Sequence, residues 1–133
     1  QKQGAIYNLE GLGSDCRQVE GMVLYGTTKA AIHYLNQALI QQARKTPVIV
    51  GAIQPGMVMT DMVIGQYKNN PEGWARVKKI FNIIADRVEN VTPWIVDRVL
   101  ANQQNGARIA FSNQWKIIWR FITAPFTKRN ITG

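Results

Sequence analysis

The sequence predicts an α/β fold in which helices flank a parallel sheet, and three segments lead to this class. Residues 5–9 and 48–53 are short apolar runs with the composition of strands, and the first is expected to be buried on both faces of a sheet. Residues 24–44 lie between them and suit one long helix, about 30 Å by its rise per residue. A strand, a helix and a second strand in this order are the usual connection between two parallel strands.

The first strand and the long helix are separated by a loop at residues 10–22, which contains three glycines. Within the helix, Ile32, Leu35 and Leu39 have the spacing of a buried stripe. The dipeptide Thr46-Pro47 ends this helix, because the residue before a proline avoids helical geometry. Pro55-Gly56 then interrupts the second strand at its carboxyl end, which is where ligands bind in open α/β sheets.

The second half of the chain predicts three more helices and one more strand. The first of these helices has an apolar face at Trp74, Val77, Phe81 and Ile84. Thr92 and Pro93 suit the N-cap and first residue of the next helix, and Ser112 suits the N-cap of the last. The expected elements are an irregular segment at 62–70, helices at 71–88, 92–105 and 112–123, and a strand at 107–111.

Composition and charge exclude several classes of protein. Hydrophobic residues make up 46% of the chain, yet no apolar run reaches the roughly 20 residues that a membrane-spanning helix needs. The single cysteine, Cys16, rules out an internal disulfide framework and favours a reducing, intracellular compartment. No second His or Cys is spaced for a metal site with His33. The net charge is +8, but no motif for reading nucleic acid accompanies it.

The clearest chemical signal is Tyr25 followed by Lys29 at the start of the predicted long helix. Residues four apart lie on one helix face, with Cβ atoms roughly 5–6 Å apart. An ammonium at this distance favours the ionised form of a phenol. Such a pair can give a proton to a carbonyl oxygen or take one from an alcohol. The alternative is that Tyr25 packs at the helix start while Lys29 is solvated.

Two further segments accompany this pair. Gly11-Leu-Gly-Ser14 precedes it, in the loop after the first strand, and Pro55-Gly-Met-Val-Met-Thr60 follows the second strand. This order of strand, Gly/Ser turn, Tyr-x-x-x-Lys helix, strand and Pro-Gly-x-x-x-Thr resembles the C-terminal half of a short-chain dehydrogenase/reductase. The resemblance implies a Rossmann-like, doubly wound parallel sheet, of which this chain would form the catalytic half.

The resemblance also implies a reaction, which is hydride transfer between NADPH or NADH and a carbonyl or alcohol. Tyr25 would donate the proton during reduction. Lys29 would promote the ionisation of Tyr25 and hold the nicotinamide ribose. The nicotinamide end of the cofactor would lie along four residues of the second segment, namely Pro55, Gly56, Val58 and Thr60.

The position of the catalytic serine is left open by the resemblance. The family usually places it about thirteen residues before the tyrosine, which falls at position 11 or 12 here. Ser14, eleven residues before Tyr25, serves if the loop folds inward and is otherwise an ordinary turn residue. His33 is expected to be a polar surface or interface histidine rather than a catalytic one.

Within this family the chain looks like the chlorophyll b reductase branch, through residues 8–15, 25–29 and 55–61 and the basic aromatic tail. That likeness implies reduction of the C7 formyl group of chlorophyll(ide) b with NADPH, at the chloroplast thylakoid. Four residues would suit so large an apolar substrate, and core packing is their alternative role: Met57, Met59, Met62 and Tyr67. Homologues in non-photosynthetic cells would have another substrate.

Residues 1–133 are expected to be one partial domain that ends in the tail, residues 113–133. The chain opens on an interior strand without the family's Gly-rich nucleotide turn, so this stretch alone is expected to be inactive. Its first strand should pair with the missing N-terminal half or with another chain, because an open strand edge leaves backbone groups unpaired. The long helix is the expected interface of a homo-oligomer. A non-catalytic, dehydrogenase-like subunit of a larger assembly is the alternative function.

The tail predicts a peripheral membrane contact. No acidic residue follows Asp97, and this asymmetry indicates an anionic partner. Tryptophan beside basic residues on a short helix is typical of a helix that lies in the membrane interface. The alternative is that this face packs on the domain's own core or on another subunit. The apolar face consists of Trp115, Ile118, Trp119 and Ile122.

Overall fold

The computed structural model describes residues 3–132, and these residues form two compact units. Within these residues, the first unit comprises residues 3–55 and Ile95–Ala110, and the second comprises Gly56–Trp94 and residues 111–132. The elements in chain order are β1 (Gly4–Leu9), α1 (Val23–Ala43), β2 (Val48–Gln54), β3 (Val58–Met59), α2 (Asp61–Gly65), α3 (Pro71–Ile84), β4 (Asp86–Arg87), α4 (Val88–Ala101), β5 (Arg108–Ala110) and α5 (Gln114–Thr123).

The first unit is built on a three-stranded parallel sheet in the order β1-β2-β5. In the register of β1 and β2, Gly4 is opposite Val48 and Leu9 is opposite Ile53. The central strand β2 supplies the core, where Val50 is 2% exposed. Helix α1 joins β1 to β2 and packs on both strands. The predicted α/β class with a parallel sheet is therefore confirmed.

Strand β1 is not buried on both faces, and that prediction is wrong. Ile6 and Leu9 are 47% and 55% exposed, and the other residues of β1 are exposed or half-buried. Among residues 3–132, β1 pairs with β2 alone. Its composition is that of an interior strand, but an interior strand needs a neighbour on each side to bury its side chains and satisfy its backbone.

The residues of α1 that are buried against the sheet differ from the predicted ones. Leu35 is 52% exposed, while Ile32 and Leu39 are half-buried. The residue buried completely is Asn36, whose side-chain oxygen accepts a hydrogen bond from Nδ2 of Asn8 at 2.8 Å. Strand β1 thus supplies the donor for the buried oxygen of Asn36, whereas its Nδ2 has no hydrogen-bond partner among the described residues.

The second unit combines a two-stranded parallel ribbon, β3 with β4, and helices α2, α3 and α5. Its core contains Met59, Phe81 and Ala85, against which Tyr67 and Trp74 pack. The ring centroids of Tyr67, Trp74 and Phe81 lie between 5.6 and 6.1 Å apart. The predicted apolar face of α3 is confirmed, because Phe81 is buried and the other members of the face are half-buried.

Several element boundaries in this half of the chain differ from the predicted ones. The segment expected to be irregular contains α2, and α3 ends at Ile84 because pairing with β3 draws the next residues into β4. Helix α4 begins at Val88, so Pro93 lies inside it rather than at its start. The N-cap of α5 is Asn113, whose side chain accepts from the Lys116 amide at 2.8 Å, and Ser112 is not the cap.

Helix α5 is held to the second unit by the buried carboxylate of Asp86, which is 6% exposed. Arg120 donates to both oxygens of this carboxylate, at 2.7 and 2.8 Å, and Arg129 donates to one of them at 3.1 Å. Burial raises the pKa of Asp86, but the hydrogen bonds and charge of Arg120, with the charges of Lys116 and Arg129, hold the pKa below its usual value.

The exposed side of α5 is the apolar one. Trp115 and Trp119 are 78% and 66% exposed, and Ile118 and Ile122 are 48% and 60% exposed. The basic side faces inward, because the Arg120 side chain is only 14% exposed and Nζ of Lys116 lies 3.9 Å from the centroid of the Phe111 ring. Within the part of the chain that the structure describes, the apolar face does not pack on the core of its own unit.

Candidate active site

Tyr25 and Lys29 lie in the first two turns of α1, at the carboxyl end of β1. The Nζ atom of Lys29 donates a hydrogen bond to the carbonyl oxygen of Leu9 at 3.0 Å. The same nitrogen lies 5.6 Å from the centroid of the Tyr25 ring. The phenol remains accessible, at 37% exposure. The structure thus brings the predicted pair together and fixes the ammonium against the last residue of the strand.

The hydroxyl of Tyr25 rests against Gly11. A Cβ atom built on Gly11 would lie 2.7 Å from the Tyr25 hydroxyl oxygen and 3.4 Å from Cε of Lys29. Real Cβ atoms do not approach other atoms as closely as the first distance, so a larger residue here would push the phenol aside. The absence of a side chain at position 11 therefore sets where the Tyr25 hydroxyl lies.

Ser14 is buried, at 3% exposure, and its hydroxyl serves the loop itself. Its Oγ accepts a hydrogen bond from the Gly11 amide at 3.0 Å, and its own amide donates to the Gly11 carbonyl at 3.1 Å. These two bonds close a tight turn on Gly11. Ser14 therefore bonds to Gly11, and Gly11 in turn lies against the Tyr25 hydroxyl. A direct catalytic role for Ser14 stays a prediction.

Gly13 allows the loop to lie close to α1. Its backbone has a φ of +94°, a region that residues with a side chain rarely adopt. A Cβ atom on Gly13 would lie 2.7 Å from Cα of Gly26 in the first turn of the helix. The two glycines of the Gly-x-Gly turn therefore allow different close contacts. Gly11 leaves space for the Tyr25 hydroxyl, and Gly13 leaves space for the backbone of α1 at Gly26.

The predicted cofactor segment begins at Pro55 in the first unit, and its other residues lie in the second. Gly56 has a φ of +77°, and a Cβ atom there would lie 2.9 Å from Cβ of Ser112. Val58 is half-buried in β3. Thr60 precedes α2 without making a side-chain cap hydrogen bond.

Two buried hydroxyl oxygens in the second unit, Oγ1 of Thr60 and Oγ of Ser112, have no hydrogen-bond partner among the described residues. A buried hydroxyl without a partner costs free energy, so such groups commonly serve a ligand or ordered water. The Thr60 hydroxyl therefore fits its predicted role toward the cofactor. Ser112 was missed as a possible second hydroxyl, since the sequence signals only a helix cap at that position.

The residues predicted to suit a large apolar substrate divide into two groups. Met59 is in the core of the second unit, and Met57 and Tyr67 pack against that core, which is the alternative role predicted for them. Met62 is 66% exposed. Of these four residues, Met62 is therefore the one whose side chain is most available for contact with another molecule.

A buried carboxylate beside the site was missed by the sequence analysis. Glu10 is 3% exposed and follows Leu9 directly. Its Oε1 lies 2.6 Å from Nδ1 of His33, and its Oε2 accepts from Nε2 of Gln54 at 2.9 Å. The signal that could have found it is His33, which continues the spacing of Tyr25 and Lys29 along one face of α1 and so needed a partner at the end of β1.

Comparison with protein families covers this site. The family model described as short chain dehydrogenase matches residues 1–71, which is more than half of the chain. The chain belongs to the short-chain dehydrogenase family. The matched region includes Tyr25, Lys29 and the whole segment from Pro55 to Thr60. The tail lies outside it.

Individual relatives agree with this family. A probable chloroplastic chlorophyll(ide) b reductase of Oryza sativa subsp. japonica is 28% identical over 124 residues, covering 93% of this chain and 23% of the relative. A chloroplastic chlorophyll(ide) b reductase of Arabidopsis thaliana is 29% identical over 107 residues, covering 78% of this chain and 29% of the relative. An uncharacterized oxidoreductase of Staphylococcus epidermidis is 42% identical over 65 residues, covering 49% of this chain and 28% of the relative.

These alignments also state how much of each relative is compared. The chain spans about a quarter of the length of the curated relatives it matches, from 23% to 29%. The resemblance to the chlorophyll b reductase branch that the sequence predicts is confirmed, since two of these relatives carry that name. Separately, no helix within residues 3–132 is both long enough and apolar enough to cross a membrane.

Proposed function

We propose that the protein is an NAD(P)-dependent oxidoreductase that reduces a carbonyl to an alcohol, with Tyr25 as proton donor. The observation that carries this proposal is the Tyr25–Lys29 pair at the end of β1, with Lys29 anchored on the Leu9 carbonyl at 3.0 Å. An ammonium carries three donor hydrogens, so the bond to Leu9 leaves two for other partners. One of these can stabilise the phenolate that remains after Tyr25 has given its proton to the substrate oxygen.

The residues present fit a nicotinamide cofactor. When bound, such a cofactor supplies the hydride. Lys29 would hold its ribose, and the unpartnered hydroxyl of Thr60 would bond its nicotinamide end. Gly56, with its left-handed backbone, allows close approach of the main chain. Pro55 and Val58 complete the set of residues proposed to lie along the cofactor, which is NADPH or NADH.

The proposed substrate is chlorophyll(ide) b, reduced at its formyl group, in a chloroplast. This proposal rests on the names of the relatives that align over most of the chain. The direct test is reduction of chlorophyllide b by the purified full-length protein with NADPH and, separately, with NADH, with a small aromatic aldehyde as second substrate. Turnover of the aldehyde alone would support the proposed carbonyl reductase activity and contradict chlorophyll(ide) b as its substrate. No turnover of any carbonyl would favour the alternative of a non-catalytic subunit.

Two further surfaces are proposed as contacts with other chains. Helix α1 exposes Leu24, Tyr34 and Leu35 at 83%, 78% and 52% of their surface, and we propose that this face forms the interface of a homo-oligomer. The outer edge of β1 is proposed to accept another strand, from an N-terminal half or another chain, because open strand edges leave donors and acceptors unpaired.

The outward face of α5 favours a second proposed property, which is peripheral attachment to a membrane. Its exposed tryptophans and isoleucines form an apolar patch on the second unit, and such patches mark interaction surfaces. Phe126, three residues after the end of α5, is also 89% exposed. Tryptophan favours the interface between lipid headgroups and hydrocarbon.

The charge around this patch favours an anionic lipid surface over a second copy of the chain. The cluster behind α5 contains three cations, Lys116, Arg120 and Arg129, for the single carboxylate of Asp86. Lys128 adds an exposed cation, and residues 98–133 contain no carboxylate side chain. Two copies of this face would repel each other through its excess of cations, whereas an anionic bilayer would attract it.

A further inference from the structure

Glu10 is the most buried carboxylate beside the candidate active site, and three elements converge on it. Its side chain is 1% exposed. His33 reaches it from α1 at 2.6 Å, Gln54 reaches it from β2 at 2.9 Å, and Nε of Arg108 in β5 lies 3.8 Å from its Oε2. Its own amide donates to the Ile53 carbonyl at 2.9 Å. The side chain and the main chain of this residue are therefore both fixed.

Glu10 lies in the chain between the two residues that contact Lys29 and Tyr25. The preceding residue, Leu9, offers the carbonyl that receives Lys29, at 3.0 Å. The following residue, Gly11, is the one against which the Tyr25 hydroxyl rests, 2.7 Å from where a Cβ atom would be. Glu10 is thus the single residue between the two backbone positions that locate the proposed acid and its ammonium.

The bonds around Glu10 suit an ionised carboxylate. Such a group accepts hydrogen bonds and donates none, and a buried charge is stable only with paired donors. The Gln54 amide donates to Oε2 at 2.9 Å, and Nδ1 of His33 lies 2.6 Å from Oε1, where an ionised carboxylate requires this nitrogen to carry the donated hydrogen. His33 lies on the same face of α1 as Tyr25 and Lys29, so its bond to Glu10 links that face to the end of β1.

We propose that Glu10 is a positioning residue for the Tyr25–Lys29 pair. It holds the Leu9–Gly11 main chain and, through His33, the face of α1 at a fixed separation. The inference rests on the proposed function only for its effect on turnover, since the geometry itself can be measured without a substrate. Loss of the carboxylate lets the loop and helix separate, so Lys29 loses the Leu9 carbonyl and the phenol loses its support.

The test is Glu10→Gln in the full-length protein, which keeps the volume and removes the charge. We expect kcat to fall about 10- to 100-fold with KM little changed, because misplacement of reacting groups lowers the rate of the bound complex. We also expect acylation of Lys29 by a soluble amine reagent, followed by mass spectrometry, to become several-fold faster. Asp15→Asn removes an exposed carboxylate of the same loop and should leave both quantities as in the wild type.

A second variant covers the case in which Glu10→Gln fails to fold. Gln54→Met removes one donor to the carboxylate and keeps the length of the side chain, so we expect a smaller change in the same direction in kcat and in Lys29 acylation. Wild-type acylation of Lys29 in whichever variant folds would overturn the positioning role, even if kcat fell. If the wild-type protein shows no turnover, the proposed function fails by itself, and the acylation rates alone decide the role of Glu10.

Discussion

The hydroxyl of Tyr25 lies against Gly11, in space that the Cβ atom of any other residue at position 11 would crowd. A Cβ atom there would lie 2.7 Å from the hydroxyl oxygen. This contact explains why a glycine occupies one of the two positions where the family resemblance places a serine. It also makes the position of the proposed proton donor depend on a residue that has no chemistry of its own.

Gly11→Ala should therefore lower carbonyl reduction without unfolding the protein. The added methyl group meets the far end of the Tyr25 side chain, which can shift at low cost in stability. The displaced phenol would lower kcat about tenfold or more, because reacting groups must be placed closely. Gly26→Ala is the matched control, since a Cβ atom there meets no atom within 4 Å. Equal kcat in the two variants would contradict the role of Gly11.

Tyr25→Phe should abolish most of the activity of the full-length protein. The change removes the proton donor and almost no volume, so carbonyl reduction should fall by about 10²–10⁴-fold, as is typical of lost acid–base catalysis. Tyr34→Phe, at a tyrosine of the same helix that is 78% exposed, is the control and should retain full activity. Steady-state kinetics with saturating cofactor measures both. Near wild-type turnover of Tyr25→Phe would reject Tyr25 as the donor.

Ser14→Ala should be less damaging to kcat than Tyr25→Phe. Its hydroxyl bonds the Gly11 amide at 3.0 Å, so its loss loosens the turn and should cost about 1 kcal/mol in the free energy of unfolding. Urea denaturation and steady-state kinetics separate these effects. A loss of kcat as large as that of Tyr25→Phe, without loss of stability, would instead assign Ser14 a direct catalytic role.

Acid should destabilise the second unit through Asp86. The pKa of this carboxyl is lowered from 3.8 in the folded protein, so the ion pairs stabilise the fold above that pH. This stability is lost as the pH falls through the lower, folded pKa. The melting temperature of the wild type should therefore drop below about pH 4, and Asp86→Asn should melt lower than the wild type at neutral pH with less additional loss in acid. Asp61→Asn, at an exposed aspartate of the same unit, is the control. A wild-type acid transition that Asp86→Asn leaves unchanged would contradict the assignment.

The exposed face of α5 should bind the full-length protein to lipid vesicles. Trp115→Ser/Trp119→Ser should release it in co-sedimentation with vesicles of phosphatidylserine and phosphatidylcholine, whereas Leu100→Ser, at a leucine of α4 that is 76% exposed, should not. Raised salt should weaken the binding without abolishing it, because Arg120 and Arg129 are engaged by Asp86 and apolar insertion remains. A wild-type protein that stays in the supernatant at low salt would reject the membrane. If the wild type instead forms an oligomer that Trp115→Ser/Trp119→Ser disrupts, the exposed face of α5 is a contact with another subunit.

The sequence by itself was sufficient wherever the relevant geometry is local. The four-residue spacing of Tyr25 and Lys29 places both on one face of any helix, because the rotation per residue is fixed by the backbone. The order of strand, helix and strand likewise predicted a parallel sheet, since short connections leave few other arrangements. The family resemblance then followed from motifs whose spacing does not depend on packing.

Only the tertiary structure decided which side of each element faces inward. Leu35 is exposed and Asn36 is buried, and Asn8, 28 residues away, supplies the hydrogen bond to the buried oxygen of Asn36. Helix α5 directs its cations inward because Asp86 is buried beneath it, which hydrophobic periodicity cannot register. The sequence indicates only a loop residue at Glu10, whereas in the structure residues of α1, β2 and β5 surround its carboxylate. In each case the deciding partner is distant in sequence, and the free energy of a buried polar group depends on that partner rather than on its neighbours in the chain.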